Sequence, residues 1–346
     1  MTTAPSPTAT HAGGSPGAPA EDEVAVAVAA ARAALRFDAP VPRGLAHRAS
    51  VAEVLPTDVA PVGADRYLVA AQIPRSHVLF NDGPGRFHDL LVVTEAARQA
   101  GTLLAHRFLD VPLDMAFVLQ NAEVQIVDPE ALRVSPVPAQ LVADMTLLEY
   151  ARRDSGPVRI AGQGEMTIDG KLAARSTASM LAMPLRTYRT VRPVSLKDGG
   201  GSGSGVPAPP ELVGRRNPRN VVITARRPGA DGSPDTFTVL VDTGHPHFFD
   251  HPQDHVPGML MIEACRQSAI ALGSHLLAVE PDELLTVRCA TSFHTYAELS
   301  QPVTVEVVPG VPELRRESGL VLPMEITLRQ TGETVVTAEL DVLHVP

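Results

Sequence analysis

Two glutamate–arginine pairs stand out as groups able to do chemistry: Glu95 with Arg98, and Glu263 with Arg266. Residues three apart on a helix share a face, so each carboxylate can meet its guanidinium. Around the first pair stand Leu91, Val92, Val93, Ala96, Ala97 and Ala100; around the second, Met259, Leu260, Met261, Ile262, Ala264 and Ala269. A helix apolar on nearly all sides is a buried helix. Burying an ion pair carries a desolvation penalty for each ion unless partners compensate, so stability alone is a poor reason to have it twice. Two readings follow. The pairs are structural at an internal interface, or each is a carboxylate base beside a guanidinium anion anchor.

The second pair is preceded by a loop dense in titratable groups, His245-Pro-His-Phe-Phe-Asp-His-Pro-Gln-Asp-His-Val-Pro-Gly258. Metal ligation is one chemistry for such a loop. Pro246, Pro252 and Pro257 keep its histidines off any regular face, and the first half offers only His77 and His88, so no metal is expected. His251 and His255, at the mouth of a helix, suit proton transfer or substrate orientation. His77 and His245 read instead as histidines satisfied by backbone. Gly258 at the helix start leaves free N–H groups that suit a thioester oxyanion. Arg215, Arg216 and Arg219 form a basic run that is either a solvated loop or a site for a phosphate or an acidic carrier-protein helix. Cys265 reads as a buried filler.

These groups must be positioned by two copies of one plan. The interval from His77 to His245 also separates Phe80 from Phe248, Glu95 from Glu263 and Arg98 from Arg266. An ungapped match of that kind indicates duplication and an internal two-fold standing in for a homodimer's. Each half shows an alternating run (66–73; 235–242), the titratable loop, a helix (89–107; 258–278) and strand-like runs. Those runs are 117–127, 138–150, 158–168 and 171–183, then 284–293, 302–308, 320–330 and 333–344. Asp169-Gly170 and Thr331-Gly332 mark tight hairpins. The fold class is α+β. Residues 1–44 form a disordered or weakly helical tail, with a short helix over 22–36; 45–193 and 211–346 are the two domains, joined by a Gly/Ser/Pro linker over 194–210.

Composition narrows the classes. The 346 residues are 44% hydrophobic and 4% aromatic without Trp, and 39 acidic against 29 basic residues give a net charge of −10. That balance disfavours nucleic acid as a partner. Two cysteines exclude a disulfide framework. The apolar stretch from Val24 to Ala31 follows acidic residues and is too short for a leader or a span, so a cytoplasmic protein with no membrane partner is expected.

The run His251-Pro-Gln-Asp-His-Val-Pro-Gly-Met-Leu-Met-Ile-Glu-Ala-Cys-Arg-Gln267 resembles the signature of the A-factor biosynthesis (AfsA-like) family of tandem hotdog proteins. So does His88-Asp-Leu-Leu-Val-Val-Thr-Glu-Ala-Ala-Arg-Gln-Ala-Gly101 in the first half, with His47-Arg48 and Asp65-Arg66-Tyr67. The resemblance implies two hotdog domains, each a long helix wrapped by an antiparallel sheet, joined as a pseudo-dimer. It implies transfer of a β-ketoacyl group from acyl carrier protein to a hydroxyl of dihydroxyacetone phosphate. The ester cyclises to a butenolide or furan phosphate, the precursor of a γ-butyrolactone-type signal. By motif it carries over Glu95, Arg98, Glu263 and Arg266, accompanied by His88, Asp254 and His255, and no cofactor. The first-half loop Asn81–Phe87 lacks the histidines of its counterpart, so the second half is the expected centre: Glu263 as base, Arg266 as anion anchor. The alternatives are a hotdog dehydratase or thioesterase, or a non-catalytic acyl- or butyrolactone-binding regulator. A pseudo-dimer can still pair through its sheets, so a homodimer is possible.

Overall fold

The structure, a computed structural model, describes residues 21–83, 85–151, 157–192, 205–230, 232–315 and 319–346. The tail before Glu21 and the linker through residue 204 lie outside the described residues. The first half runs α1 (Glu21–Ala34), β1 (Pro56–Pro61), β2 (Arg66–Ile73), α2 (Leu90–Phe108), β3 (Met115–Ile126), β4 (Ala139–Ala151), β5 (Val158–Ile168), β6 (Lys171–Pro184) and α3 (Leu185–Val191). The second runs β7 (Asp235–Thr238), α4 (Gly258–Leu277), β8 (Leu284–Phe293), β9 (Val303–Pro309), β10 (Glu313–Arg315), β11 (Gly319–Gln330) and β12 (Glu333–His344).

The expected helices and long strands are all present, within two residues at each end. Three differences have local causes. The alternating run 235–242 yields only the four residues of β7. From Val239 onward its N–H groups go alternately to Val303 O and Val222 O, so the chain crosses between two neighbours instead of pairing with one. Strand β1 and helix α3 were not expected, because Pro56, Pro61 and Pro184 punctuate them. Helix α1 is docked, with Arg32 Nη1 donating to Thr167 Oγ1 of β5 at 2.9 Å.

All strands join one antiparallel sheet in the order β1-β2-β4-β5-β6-β3-β8-β12-β11-β9-β7, with β10 beside β11. The halves meet where β3 pairs β8, from Asn121 opposite Ser292 to Gln125 opposite Arg288. Outward from that seam the neighbours repeat: β6-β5-β4-β2 on one side, β12-β11-β9-β7 on the other. This is the internal two-fold that duplication requires. Both two-residue hairpin turns take left-handed backbone, Asp169 and Gly170 at φ 48° and 83°, Thr331 and Gly332 at 51° and 88°. That twist matches the flanking strands.

The sheet closes on α2 and α4. Every residue of α4 from Met259 to Ile270 is buried, and one apolar core runs through Leu91 and Leu103 of α2, Leu260 of α4, and Leu328 and Val342 of the second half. Among the described residues no helix is long and apolar enough to cross a membrane. Domains stay independent when their interface is small and polar, whereas here core and sheet are continuous. Heating is therefore expected to give one cooperative calorimetric transition. Two separate transitions, one per half, would contradict the shared core.

Candidate active site

A 3-10 turn at Arg43–Ala46 ends on His47 in left-handed backbone, φ 50°, which delivers the next side chain, Arg48, to α2. Arg48 Nε donates to Glu95 Oε1 at 3.1 Å, and its Nη2 is closer still. Arg98 Nε donates to Glu95 Oε2 at 2.8 Å and its Nη2 to Oε1 at 2.7 Å. Gln99 Nε2 completes the set at 2.6 Å, while also donating to Glu53 O and accepting from Leu55 N. Burial pushes the Glu95 carboxyl up, but the charges of Arg48 and Arg98 outweigh it and hold it well below the usual range. Four of these bonds fall on Oε1 and one on Oε2, so the carboxylate is held charged between two guanidiniums, where it orients Arg98 and is a weak proton acceptor.

The α4 side repeats this arrangement. A turn at Pro210–Val213 ends on Gly214, φ 67°, and delivers Arg215. Arg215 Nε donates to Glu263 Oε1 at 2.8 Å, Arg266 Nε to Oε2 at 2.7 Å and Nη2 to Oε1 at 2.9 Å, with Gln267 beside them. Here too burial raises the carboxyl and Arg215 and Arg266 outweigh it, bringing Glu263 to about 2.

The copies differ at the helix starts. Asp89 caps α2, accepting from Leu91 N at 2.9 Å, and its Oδ2 lies 3.0 Å from Arg215 Nη2 and 3.6 Å from Arg266 Nε. The α4 cluster thereby gathers two guanidiniums and two carboxylates, and Arg266 and Asp89 also line a cavity of about 240 Å³, smaller and on the other side from the one Arg98 reaches. Pro257 occupies the matching place before α4 and offers no carboxylate. The Arg98 side chain keeps 23% of its surface accessible, against 9% for Arg266 and 1% for Arg215. The N–H groups of Leu260 and Met261 turn back to Pro257 O, leaving those of Gly258 and Met259 without an acceptor among the described residues.

Arg98 opens onto a cavity of about 560 Å³ between α2, β3, α3 and the 245–258 loop. His47, His251, Asp254, His255 and Gly258 line it. A smaller apolar pocket, lined by Ala97, Gly101, Leu104, Met145 and Met180, shares Arg98, Leu119 and Met259 with it. In the large cavity His255 Nδ1 lies 2.6 Å from Asp254 Oδ1, and Asp254 also accepts from Tyr188 Oη at 2.9 Å and Arg192 Nε at 3.1 Å. Burial raises the Asp254 carboxyl, but its bonds to His255 and Tyr188 hold it well below the ordinary value. His255 Nε2 has no partner among the described residues. His251 is bonded on both ring nitrogens, to Asp250 and Gln253. His47 is stacked on His106, and burial with that second ring takes it down to about 4.

Glu53, His77 and His247 place three potential metal ligands within 4.8 Å of one another. The ring chemistry does not fit a metal. His77 Nδ1 accepts from Leu79 N and Phe80 N, so its Nε2 carries the proton it gives Glu53 and has no lone pair to offer. His245 repeats that backbone bonding with Asn220 in place of Glu53. Both histidines are thus backbone-satisfied, as their loop positions suggested.

The structure gathers Arg98, His251, Asp254, His255 and Gly258 at one cavity, built from both halves, with Glu95 buried behind Arg98. It sets Glu263 and Arg266 apart in the α4 cluster, where Arg266 is paired with Glu263 and Asp89 and lines the 240 Å³ cavity. Arg215, expected in a basic surface run, is 2% exposed and paired with Glu263 and Asp89, so it does not join Arg216 and Arg219 as a docking site. Arg216 is exposed; Arg219 donates to Gly244 O and pairs with Asp242. His88 is buried with neither ring nitrogen bonded and lies outside both cavities. Unforeseen were the clamps by Arg48 and Arg215, the two glutamines, and the Tyr188–Arg192 support. The glutamines recur in the repeat, but the arginines sit one residue off its constant interval, which hid their equivalence.

Residues 29–184 and 204–346 match the AfsA model, the A-factor biosynthesis hotdog domain. The protein is a tandem hotdog protein, and the chain belongs to the A-factor biosynthesis hotdog family. The 2-oxo-3-(phosphooxy)propyl 3-oxoalkanoate synthase of Streptomyces coelicolor is 32% identical over 275 residues, covering 78% of this chain and 83% of that protein. The synthase of the same name from Streptomyces griseus is 30% identical over 303 residues, covering 87% and 95%. Among solved structures, a tesB protein of Mycobacterium avium subs paratuberculosis aligns with a TM-score of 0.46 at 15% identity, covering 84% of this chain and 96% of that one.

Breaking the α4 cluster strands buried charge, so Glu263→Gln is expected to destabilise the protein by about 3–5 kcal/mol at pH 7. A carboxyl depressed in the folded state contributes fully above its unfolded pKa and loses that contribution as pH falls toward the folded one. With Glu263 at about 2 against 4.5 unfolded, the deficit should narrow from about pH 5 downward in denaturant titrations. A deficit that stays constant down to about pH 3 contradicts this assignment.

Proposed function

We propose that this chain joins a 3-oxoacyl group to dihydroxyacetone phosphate, drawing the acyl group from a carrier-protein thioester. The product named for the Streptomyces relatives is the matching ester, a 3-oxoalkanoate bearing a 2-oxo-3-(phosphooxy)propyl group. The observation that carries the reading is Arg98, an accessible guanidinium lining both a polar cavity and an apolar pocket. One compartment suits a small phosphorylated alcohol and the other an acyl tail.

The hydroxyl oxygen forms a bond to the thioester carbonyl carbon and the C–S bond breaks. His255 Nε2 takes the hydroxyl proton and returns it to the departing thiolate, with Asp254 fixing the ring through Nδ1. Arg98, held by Glu95 and Arg48, anchors the phosphate. The free N–H groups of Gly258 and Met259 face the oxyanion that develops on the thioester. Glu263, Arg266 and Arg215 support the fold in this scheme, and His251 lines the cavity wall. Holding both reactants in one site converts a two-molecule encounter into a local reaction.

Incubation with a 3-oxoacyl thioester, with and without dihydroxyacetone phosphate, tests the reading by mass spectrometry. A phosphorylated ester or its cyclised product is expected only with both substrates, and Arg98→Met should lower kcat/KM by about 10²–10³-fold. Hydrolysis or dehydration without the phosphate substrate, or binding without turnover, would contradict it.

A further inference from the structure

We infer that the outer face of α3 is the docking surface for an acidic acyl carrier protein, which rests on the acyl-transfer reading above. Helix α3 borders the cavity through Leu185 and Tyr188. Its inward residues hold the working loop: Tyr188 donates to Asp254, and Arg192, just past the helix, binds Asp254 and Glu298 together at 3.1 Å and 2.8 Å. Its exposed residues are of another kind, and one of them, Arg189, also stands at the rim of the cavity. Arg186 and Arg189 are exposed, one turn apart, and pair with no carboxylate among the described residues. Leu185 and Val191 flank them at 41% and 70% exposure.

Several other surface arginines are paired with carboxylates, while Arg36, Arg107 and Arg227 stand singly. Arg66 pairs with Asp144, Arg133 with Glu130, Arg175 with Glu165, Arg226 with Asp235 and Arg329 with Glu306. In a chain of net charge −10, two neighbouring guanidiniums without a carboxylate, beside two exposed apolar side chains at a cavity mouth, form a locally basic and partly apolar patch. Such a patch is complementary to an acidic helix with an apolar centre, and long-range attraction would orient that partner despite the repulsive remainder. Its thioester arm then enters beside Tyr188, against the helix that fixes the Asp254–His255 pair. Coenzyme A brings phosphates too, and is separated by the test.

The test measures KM for one 3-oxoacyl group carried on acyl carrier protein, on coenzyme A and on N-acetylcysteamine, in wild type and R186E, since Arg186 lies outside the cavity lining. The carrier KM should rise about tenfold or more in the variant and, in wild type, climb with salt as surface attraction is screened. The other two should stay within about twofold, and turnover of the N-acetylcysteamine thioester reports that the variant is folded and its chemistry intact. An unchanged carrier KM, or an equal rise for coenzyme A, overturns the docking surface while leaving acyl transfer standing. Absence of transfer by the wild type from all three donors overturns both.

Discussion

The molecule is organised around a buried carboxylate held between two guanidiniums and a side-chain amide, built once in each half. Removing three charges from water is costly, and the cost is offset only if every donor and acceptor is met. That requirement explains the surroundings. The turns ending at His47 and Gly214 exist where Arg48 and Arg215 must reach the helices, and Gln99 and Gln267 tie the entering strands to the same carboxylates. The continuous sheet and apolar core bury both carboxylates completely. The guanidiniums that depress the Glu95 and Glu263 carboxyls make them weak proton acceptors, and in the proposed scheme they orient the arginines beside them.

Duplication supplies two such clusters, and a few substitutions make them unequal. Asp89 adds a second carboxylate to the α4 cluster where Pro257 leaves the α2 cluster without one. The first-half loop has Gly83, Arg86 and Phe87 where its counterpart brings His251, Asp254 and His255. The open cavity therefore combines the helix of one half with the loop of the other, as a dimer would share a site across its interface. In the proposed scheme one half's ion pair keeps a binding role while the other's, which pairs Asp89 of the first half with Arg215 and Arg266 of the second, helps hold the halves together.

Much of this was legible in the residues. The constant interval between the two helical motifs, the period of their apolar positions and the paired hairpin signals locate α2, α4 and nearly every long strand. The His- and Asp-rich loop pointed correctly to the residues that line the large cavity. What the sequence did not show was which helix that loop faces. Local patterning places Glu263 beside its own loop, whereas the two-fold packing carries the loop across to Glu95 and Arg98. The burial of Arg215 was equally hidden, since a run of arginines after a linker has the composition of a solvated segment. Its partners Glu263 and Asp89 lie in two other parts of the chain.

The central claim is that the two Glu–Arg clusters are chemically unequal and that only the one on α2 receives the phosphate substrate. The most direct measurement is a crystal structure of the protein with dihydroxyacetone phosphate. The account predicts the phosphate within hydrogen-bonding distance of Arg98, beneath the 245–258 loop, with the α4 cluster unchanged. A phosphate bound instead at Arg266, with Asp89 displaced, would contradict it.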